Sequence, residues 1–312
     1  MTGCLLLLTV LGLTAAVPVA RALDRAVWPE REPVLGLWVW QCLVVTVLLS
    51  CLTALALGMA AIFRTVRDDL FGSAPPAVVA AYSLSSVPAW AVALTMLLAA
   101  GAAWTVAVLA GRFRAVRRAQ GAARDRLRER APELPAGLPA QGGPLLVLED
   151  EYPDAWWATG NPARLVVTTG ALHRLTDRQL DAVLTHERGH ARARHDWLLH
   201  LSAGLAEGFP RMPLFSLFCE RTHRLVELAA DDTAARRCGH VTTALALIEL
   251  NQHRGVFSCA SSRRLLADRV DRLLTPPPRL KTRTRALTAA MAACAPLLPL
   301  LITFAPGIDA LG

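Results

Sequence analysis

The chain is poor in several signatures that would settle its class at once. It has no glycine-rich phosphate loop, no serine-centred nucleophile elbow and no internal repeat. These absences set aside phosphate-cradling nucleotide chemistry, serine hydrolysis and solenoid architecture. Its seven cysteines contain no C-x-x-C pair. Cys4, Cys42, Cys51 and Cys294 fall in apolar stretches, while Cys219, Cys238 and Cys259 are far apart. They read as small apolar residues in a reducing compartment, not as a disulfide framework. Aromatic residues make up only 6%. No base-stacking aromatic pattern accompanies the net charge of +8, so the basic balance is not read as a nucleic-acid footprint.

Charge-free runs, by contrast, are abundant. Apolar residues reach 54%, above the usual share for a soluble domain. The excess sits in residues 1–20, 33–63, within 70–111, and 287–308. Each is long enough for a membrane helix of about 20 residues. The first lacks the basic start of a signal peptide, so it reads as a retained helix. Pro75, Pro76 and Pro88 predict a loop before the third helix. The predicted spans are therefore about 1–20, 35–62 and 87–111, with a last one in 286–312. None carries the buried ionisable residues expected of a transport path.

Arginine density orients these spans. Arg112 to Arg130 has eight arginines against Asp125 and Glu129, and Arg279, Lys281, Arg283 and Arg285 precede the last apolar run. Both clusters abut membrane ends, as positive-inside charge does, and anionic lipid headgroups are their expected partners. The segment between them is expected in the cytoplasm, with both termini outside. Residues 112–143 read as a basic juxtamembrane helix and linker, and 144–285 as the chemistry-bearing domain.

That domain contains His186-Glu187-Arg188-Gly189-His190. Histidines four apart on a helix share a face and can reach one metal ion. Glu187 can touch a water beside that ion without being a ligand. The layout suits zinc-assisted hydrolysis of a peptide bond. Random placement gives the pattern with a chance of roughly two per cent. Thr176 and Gln179 predict a capping box at the helix start, followed by Leu180, Val183 and Leu184 at helical spacing.

Two histidines leave a catalytic zinc site one protein ligand short. Glu227 is the candidate third ligand, in a helix-like run from Arg221 to Arg237 that Gly239 closes. Asp231, four residues on, can accept the second N–H of a ligand imidazole; Asp232 is the alternative. His195, His200 and His240 read as surface or satisfied histidines. His223, one turn before Glu227, is the candidate oxyanion stabiliser.

His-Glu-x-x-His followed by Glu-x-x-x-Asp resembles the gluzincin metallopeptidases, specifically their membrane-embedded members. The run from Ala163 to Asp177 is similar to that of the HtpX-like proteases and the BlaR/MecR-type sensor proteases. The stretch Arg263 to Pro278 also resembles the BlaR/MecR type. The likeness covers roughly Pro144 to Arg285 by motif. It implies His186, His190 and Glu227 as ligands of Zn2+ and Glu187 as general base and acid. It also implies a strand and short turn before the active helix. BlaR/MecR-type receptors carry an external antibiotic-binding domain after their last span. This sequence stops at Gly312, so beta-lactam sensing is not expected of it.

The expected fold is therefore α+β and mostly helical: multi-pass membrane helices with an inserted cytoplasmic gluzincin-like zinc protease domain. Residues 144–148 and 164–168 are predicted strands, split by a Trp-containing turn around 154–161. Arg164–Thr168 is the candidate edge strand for an added peptide, against the alternative of a fully paired core strand. The apolar run 197–218 is expected to be domain core. The expected substrate is a protein or peptide, a cytoplasmic transcriptional repressor or the protease itself by the BlaR/MecR likeness. HtpX-like quality control of membrane proteins is the alternative. A non-catalytic signalling receptor with a structural metal is disfavoured, because such a site would not need Glu187.

Overall fold

The computed structural model describes residues 1–82, 87–130, 145–158, 164–252 and 260–311, with side chains at all of these except 123–130, 252 and 260–263. The linker expected over 131–143 and the end of the turn at 159–161 lie outside the described residues. The main helices are α1 (Thr2–Arg25), α2 (Pro33–Ile62), α3 (Ala89–Arg130), α4 (Thr169–Arg174), α5 (Asp177–Ala193), α6 (His195–Gly208), α7 (Pro213–Cys238), α8 (His240–Gln252), α9 (Ala260–Leu274), α10 (Thr282–Cys294) and α11 (Leu297–Asp309). Short helices occupy Trp28–Arg31, Arg64–Phe71 and Pro76–Ala81, and the strands are β1 (Leu145–Leu148), β2 (Ala155–Ala158) and β3 (Arg164–Thr168). The chain is mostly helical and divides into two compact units.

The first unit is Met1–Ala110, Leu201–Thr222 and Leu280–Gly312. Three helices are long and apolar enough to cross a membrane: α1, α2 and the Ala89–Ala122 part of α3. Pro18 lies inside α1, where the backbone widens into a π-turn over Ala15–Val19 to accommodate the missing N–H. The third apolar run and the basic segment after it form one helix, α3. The last apolar run is bent: α10 and α11 meet at 48°. Pro296 supplies the break, having no N–H to continue the ladder.

Leu5, Leu8, Ala54 and Leu57 form the packed seam of α1 on α2. A Cβ at Gly58 would collide with Thr95, so glycine is what lets α2 and α3 approach there. Buried Thr46, Ser50, Thr95 and Thr303 each donate to the carbonyl four residues back, at 2.7–2.8 Å, which satisfies them in apolar surroundings. The apolar run after Trp197 packs within this unit from Leu201 onward. Leu205, Leu214, Phe215 and Phe218 are buried, and the Phe218 ring lies 6.5 Å from that of Trp40. The run is core, but core of this unit.

The second unit is Gly111–His200 and His223–Arg279. Its sheet has the order β1-β3-β2, with β1 parallel and β2 antiparallel to β3. The expected edge strand Arg164–Thr168 is thus the central strand, bonded on both sides. Val166 and Val167 are fully buried, which a two-sided strand requires. The open edge among the described residues that faces the site belongs to β2. Thr168 ends the sheet and caps α4, accepting from the Ala171 N–H at 3.2 Å. Gly170 is pressed against the Glu151 carbonyl, leaving no room for a Cβ. The capping box then opens α5: the Thr176 N–H donates to Gln179 Oε1 at 2.9 Å, and Gln179 N–H donates back to Thr176 Oγ1. Ala182 and Val183 bury the apolar face of α5 against Val167, Ala171 and Ala246.

Candidate active site

Helix α5 presents His186 and His190 on one face, and α7 brings Glu227 and Asp231 to meet them. Gly189 of α5 faces α7. A Cβ there would lie 3.6 Å from Ala230 Cα and 3.7 Å from Thr233 Cβ. That is ordinary contact, so the interface has room for a methyl and little more.

The ring nitrogens His186 Nε2 and His190 Nε2 are 3.1 Å apart. Glu227 Oε2 is 3.7 Å from the first and Glu227 Oε1 is 3.5 Å from the second. Ligands about 2.0–2.1 Å from a tetrahedral ion sit about 3.3 Å from one another, so this spacing fits a zinc-sized cation. The donor set, two imidazoles and a carboxylate, suits a divalent cation that keeps a fourth position free of protein ligands. Among the described residues this is the one such group, and it offers three ligands.

The far nitrogens are also held. His186 Nδ1 lies 3.0 Å from Asp231 Oδ1, so the ring donates its Nδ1–H to the carboxylate and its Nε2 edge faces the other ligand atoms. His190 Nδ1 lies 3.0 Å from Nδ1 of buried His195. Asp231 is 1% exposed and does not rely on the histidine alone. Arg269 of α9 grips it with Nε at 2.8 Å and Nη2 at 2.7 Å, and places Nη1 2.9 Å from Glu227 Oε2. Asp232, the alternative support, instead pairs with Arg272 at 2.6 Å.

Burial pushes the acids toward neutrality, but their partners win. The His186 hydrogen bond and the Arg269 charge lower Glu227 to about 2. Arg269, then His186, holds Asp231 well below the usual carboxylate range. Burial disfavours the charge of Arg269, yet Asp231, Glu227 and Glu187 keep it firmly ionised. Burial would lower both histidines. It does so for His190, to about 4, helped by His186 and His195. For His186 the bonds to Asp231 and Glu227 outweigh it and raise the pKa to about 9.

Glu187 lines a cavity of about 350 Å³ together with His186, His190 and Glu227. One wall is β2 with Trp156 and Trp157; another is apolar, from Val183 of α5 and Ala246, Leu247 and Leu250 of α8. His223, the candidate oxyanion stabiliser, does not take that place. It is exposed and does not line the cavity, although it lies one turn before Glu227 on the same side of α7.

Residues 119–291, more than half of the chain, match the model of Peptidase family M48. The chain belongs to peptidase family M48. No curated protein and no solved structure matches it. This M48 chain is a membrane-associated metallopeptidase, with its paired histidines, Glu187 and Glu227 inside the matched segment.

Two residues of the M48 site escaped the sequence reading. Arg269 sits 38 positions after Asp231, and only the folded chain puts them together. His195 is nearer, five residues after His190, but helical periodicity would carry it to another face. Arg194 adopts a left-handed conformation, φ 52°, that ends α5 and turns His195 back onto His190. A reversal at a non-glycine residue leaves no sequence signal.

Proposed function

We propose that this M48 peptidase is a zinc endopeptidase, with His186, His190 and Glu227 as zinc ligands and Glu187 as general base and acid. The observation that carries the reading is the convergence of three ligand atoms within 4.8 Å of one another, on a cavity that Glu187 also lines. A three-ligand set leaves a fourth position open, whereas a structural zinc site is closed by protein. Bound zinc would supply Lewis acidity there, making water more acidic and offsetting negative charge on the attacked carbonyl.

The protein groups do the rest. Glu187 takes the proton of the attacking water and later delivers it to the departing amine. Asp231 holds His186 in the tautomer that presents Nε2, and Arg269 holds Asp231 and Glu227 in place. The open edge of β2 offers main-chain groups to an extended peptide, which suits substrates of varied sequence. The α5–α8 wall favours an apolar side chain beside the scissile bond.

Glu187→Gln is expected to retain metal at wild-type stoichiometry and to lose about 10²–10⁴-fold in peptide turnover. Elemental analysis and a quenched-peptide assay on the same preparation check this. Normal cleavage by the variant would falsify the role. The likeness to BlaR/MecR-type proteases points to regulated cleavage, in the cytoplasm, of a transcriptional repressor or of the protease itself. Comparative proteomics of cells making wild type or Glu187→Gln tests it. A cytoplasmic regulator that accumulates only with the variant names the target. Accumulation of membrane proteins instead would favour HtpX-like quality control.

A further inference from the structure

A second cavity, about 340 Å³, lies within the first unit, between the last turn of α1 and the first turn of α7. Arg21, Arg25 and Arg211 line it, and all three are exposed. Among the described residues none of the three has an ion-pair partner. The one acid on the wall, Asp24, is already engaged: Arg221 Nε donates to its Oδ1 at 2.6 Å, and Arg221 Nη2 to its main-chain carbonyl at 2.7 Å. Arg221 also reaches Glu30 Oε1 at 3.4 Å. Four guanidiniums against two carboxylates leave two positive charges in excess.

The helix start adds to that field. Pro213, Ser216 and Leu217 of the first turn of α7 line the cavity, and α7 is 26 residues long. The positive end of the helix dipole favours anions there, although Pro213 has no N–H and the Phe215 N–H already donates to the Met212 carbonyl at 3.1 Å, so the guanidiniums supply the donors. Guanidiniums match phosphate oxygens in planar, two-pronged fashion. Pro210 and Leu217 supply an apolar side to the same cavity. We propose that this cavity binds a phosphate group, with Arg21, Arg25 and Arg211 as its ligands.

The place suits a lipid phosphodiester. The cavity sits at the end of α1, a helix apolar enough to span a bilayer. Close by in the chain, Gly208 accepts a hydrogen bond at 2.8 Å from the indole of Trp104, whose ring is 56% exposed on α3. Exposed tryptophans with a satisfied N–H mark the headgroup level of membrane proteins. The site uses neither the 112–130 nor the 279–285 basic cluster, and phosphate binding there does not depend on peptide hydrolysis.

The test uses the full chain reconstituted in vesicles of phosphatidylcholine with an equal part of phosphatidylglycerol. After exchange into mild detergent, lipid retained per protein is read by native mass spectrometry. In parallel, the delipidated protein is titrated with inorganic phosphate and its melting point followed. Wild type is compared with Arg21→Gln/Arg25→Gln/Arg211→Gln, and with Arg114→Gln/Arg117→Gln/Arg118→Gln as the charge-matched control. Wild type and control should retain phosphatidylglycerol in preference to phosphatidylcholine. The first triple variant should bind about a hundredfold more weakly, about fivefold for each guanidinium. Arg211→Gln alone, in a segment before the helix, keeps the test valid if the triple variant folds poorly, and should lose about fivefold. Stabilisation by inorganic phosphate that the triple variant abolishes would make a soluble phosphate the source. Equal lipid retention and equal phosphate response in wild type, Arg211→Gln and the triple variant would overturn the proposal.

Discussion

His186 and His190 lie one turn apart, yet they are driven in opposite directions. Burial disfavours charge on both, but Asp231 and Glu227 reverse the balance at His186 and lift it to about 9. His190, crowded by His186, His195 and Arg269, falls to about 4 and stays neutral. Without metal, then, His186 is the cation of the cluster, and metal binding must displace its proton. The consequence for stability has a definite sign. A pKa raised above its ordinary 6.5 stabilises the fold fully below pH 6.5, and that contribution fades as pH rises through about 9. Chelated protein should therefore lose on the order of 3 kcal/mol between those values. Thermal unfolding at both ends of the window checks it, with Asp231→Asn expected to flatten the dependence. An unchanged melting point for chelated wild type would contradict the charge assignment. The ligand spacing and the Glu227–Asp231 pair are readable from the chain because both are local, one helical turn each. Arg269 and His195 are not, since one needs tertiary packing and the other a left-handed residue.

At the scale of elements, the site is an agreement between two helices. α5 carries the imidazoles and α7 the carboxylates, and at Gly189 the seam between them has room for a methyl. Gly189→Ala adds a methyl at ordinary contact distance and a better helix former, so metal content and melting point should hold or rise slightly. Gly189→Leu has no such room. Overpacking of this kind costs about 1–3 kcal/mol, and forcing α5 from α7 should lower metal affinity by more than about tenfold. Metal content after dialysis against a graded chelator series reads the difference. Equal retention in the two variants would mean that the helices do not set the ligand distances. The capping box at Thr176 and the stop at Gly239, φ 91°, were legible because caps are local chemistry. The pairing of β3 was not. A run such as Leu165-Val166-Val167 suits a central strand as well as an edge, and only its two partners decide. The bend between α10 and α11 was signalled by Pro296, whose effect hydropathy does not register.

Across the first unit, the packing bears on which side of a membrane each segment meets. Met1, Ala61, Tyr82 and Ala91 share one cluster, which gathers the start of α1, the end of α2 and the start of α3. Tyr82 Oη also donates to the Thr303 carbonyl of α11 at 2.9 Å. At the start of α2, Trp38 Nε1 donates to Ala289 of α10 at 3.4 Å, and Glu32 lies 3.9 Å from Arg285. The bent pair α10–α11 therefore meets α2 near both of its ends. Arg21, Arg25, Arg211, Arg221 and Arg285 belong to the end away from the Met1 cluster. We propose from the positive-inside bias that this end faces the cytoplasm, with Thr2 and Asp309 outward. In a background with the seven native cysteines replaced, Thr2→Cys and Asp309→Cys should react with a membrane-impermeant maleimide on sealed cells. Arg285→Cys should react only after the membrane is opened. The reverse pattern would invert the orientation and sink the proposal of cleavage in the cytoplasm. Labelling of Thr2→Cys without Asp309→Cys would instead make the bent pair a re-entrant loop, against the contacts that stretch it from Trp38 to Tyr82.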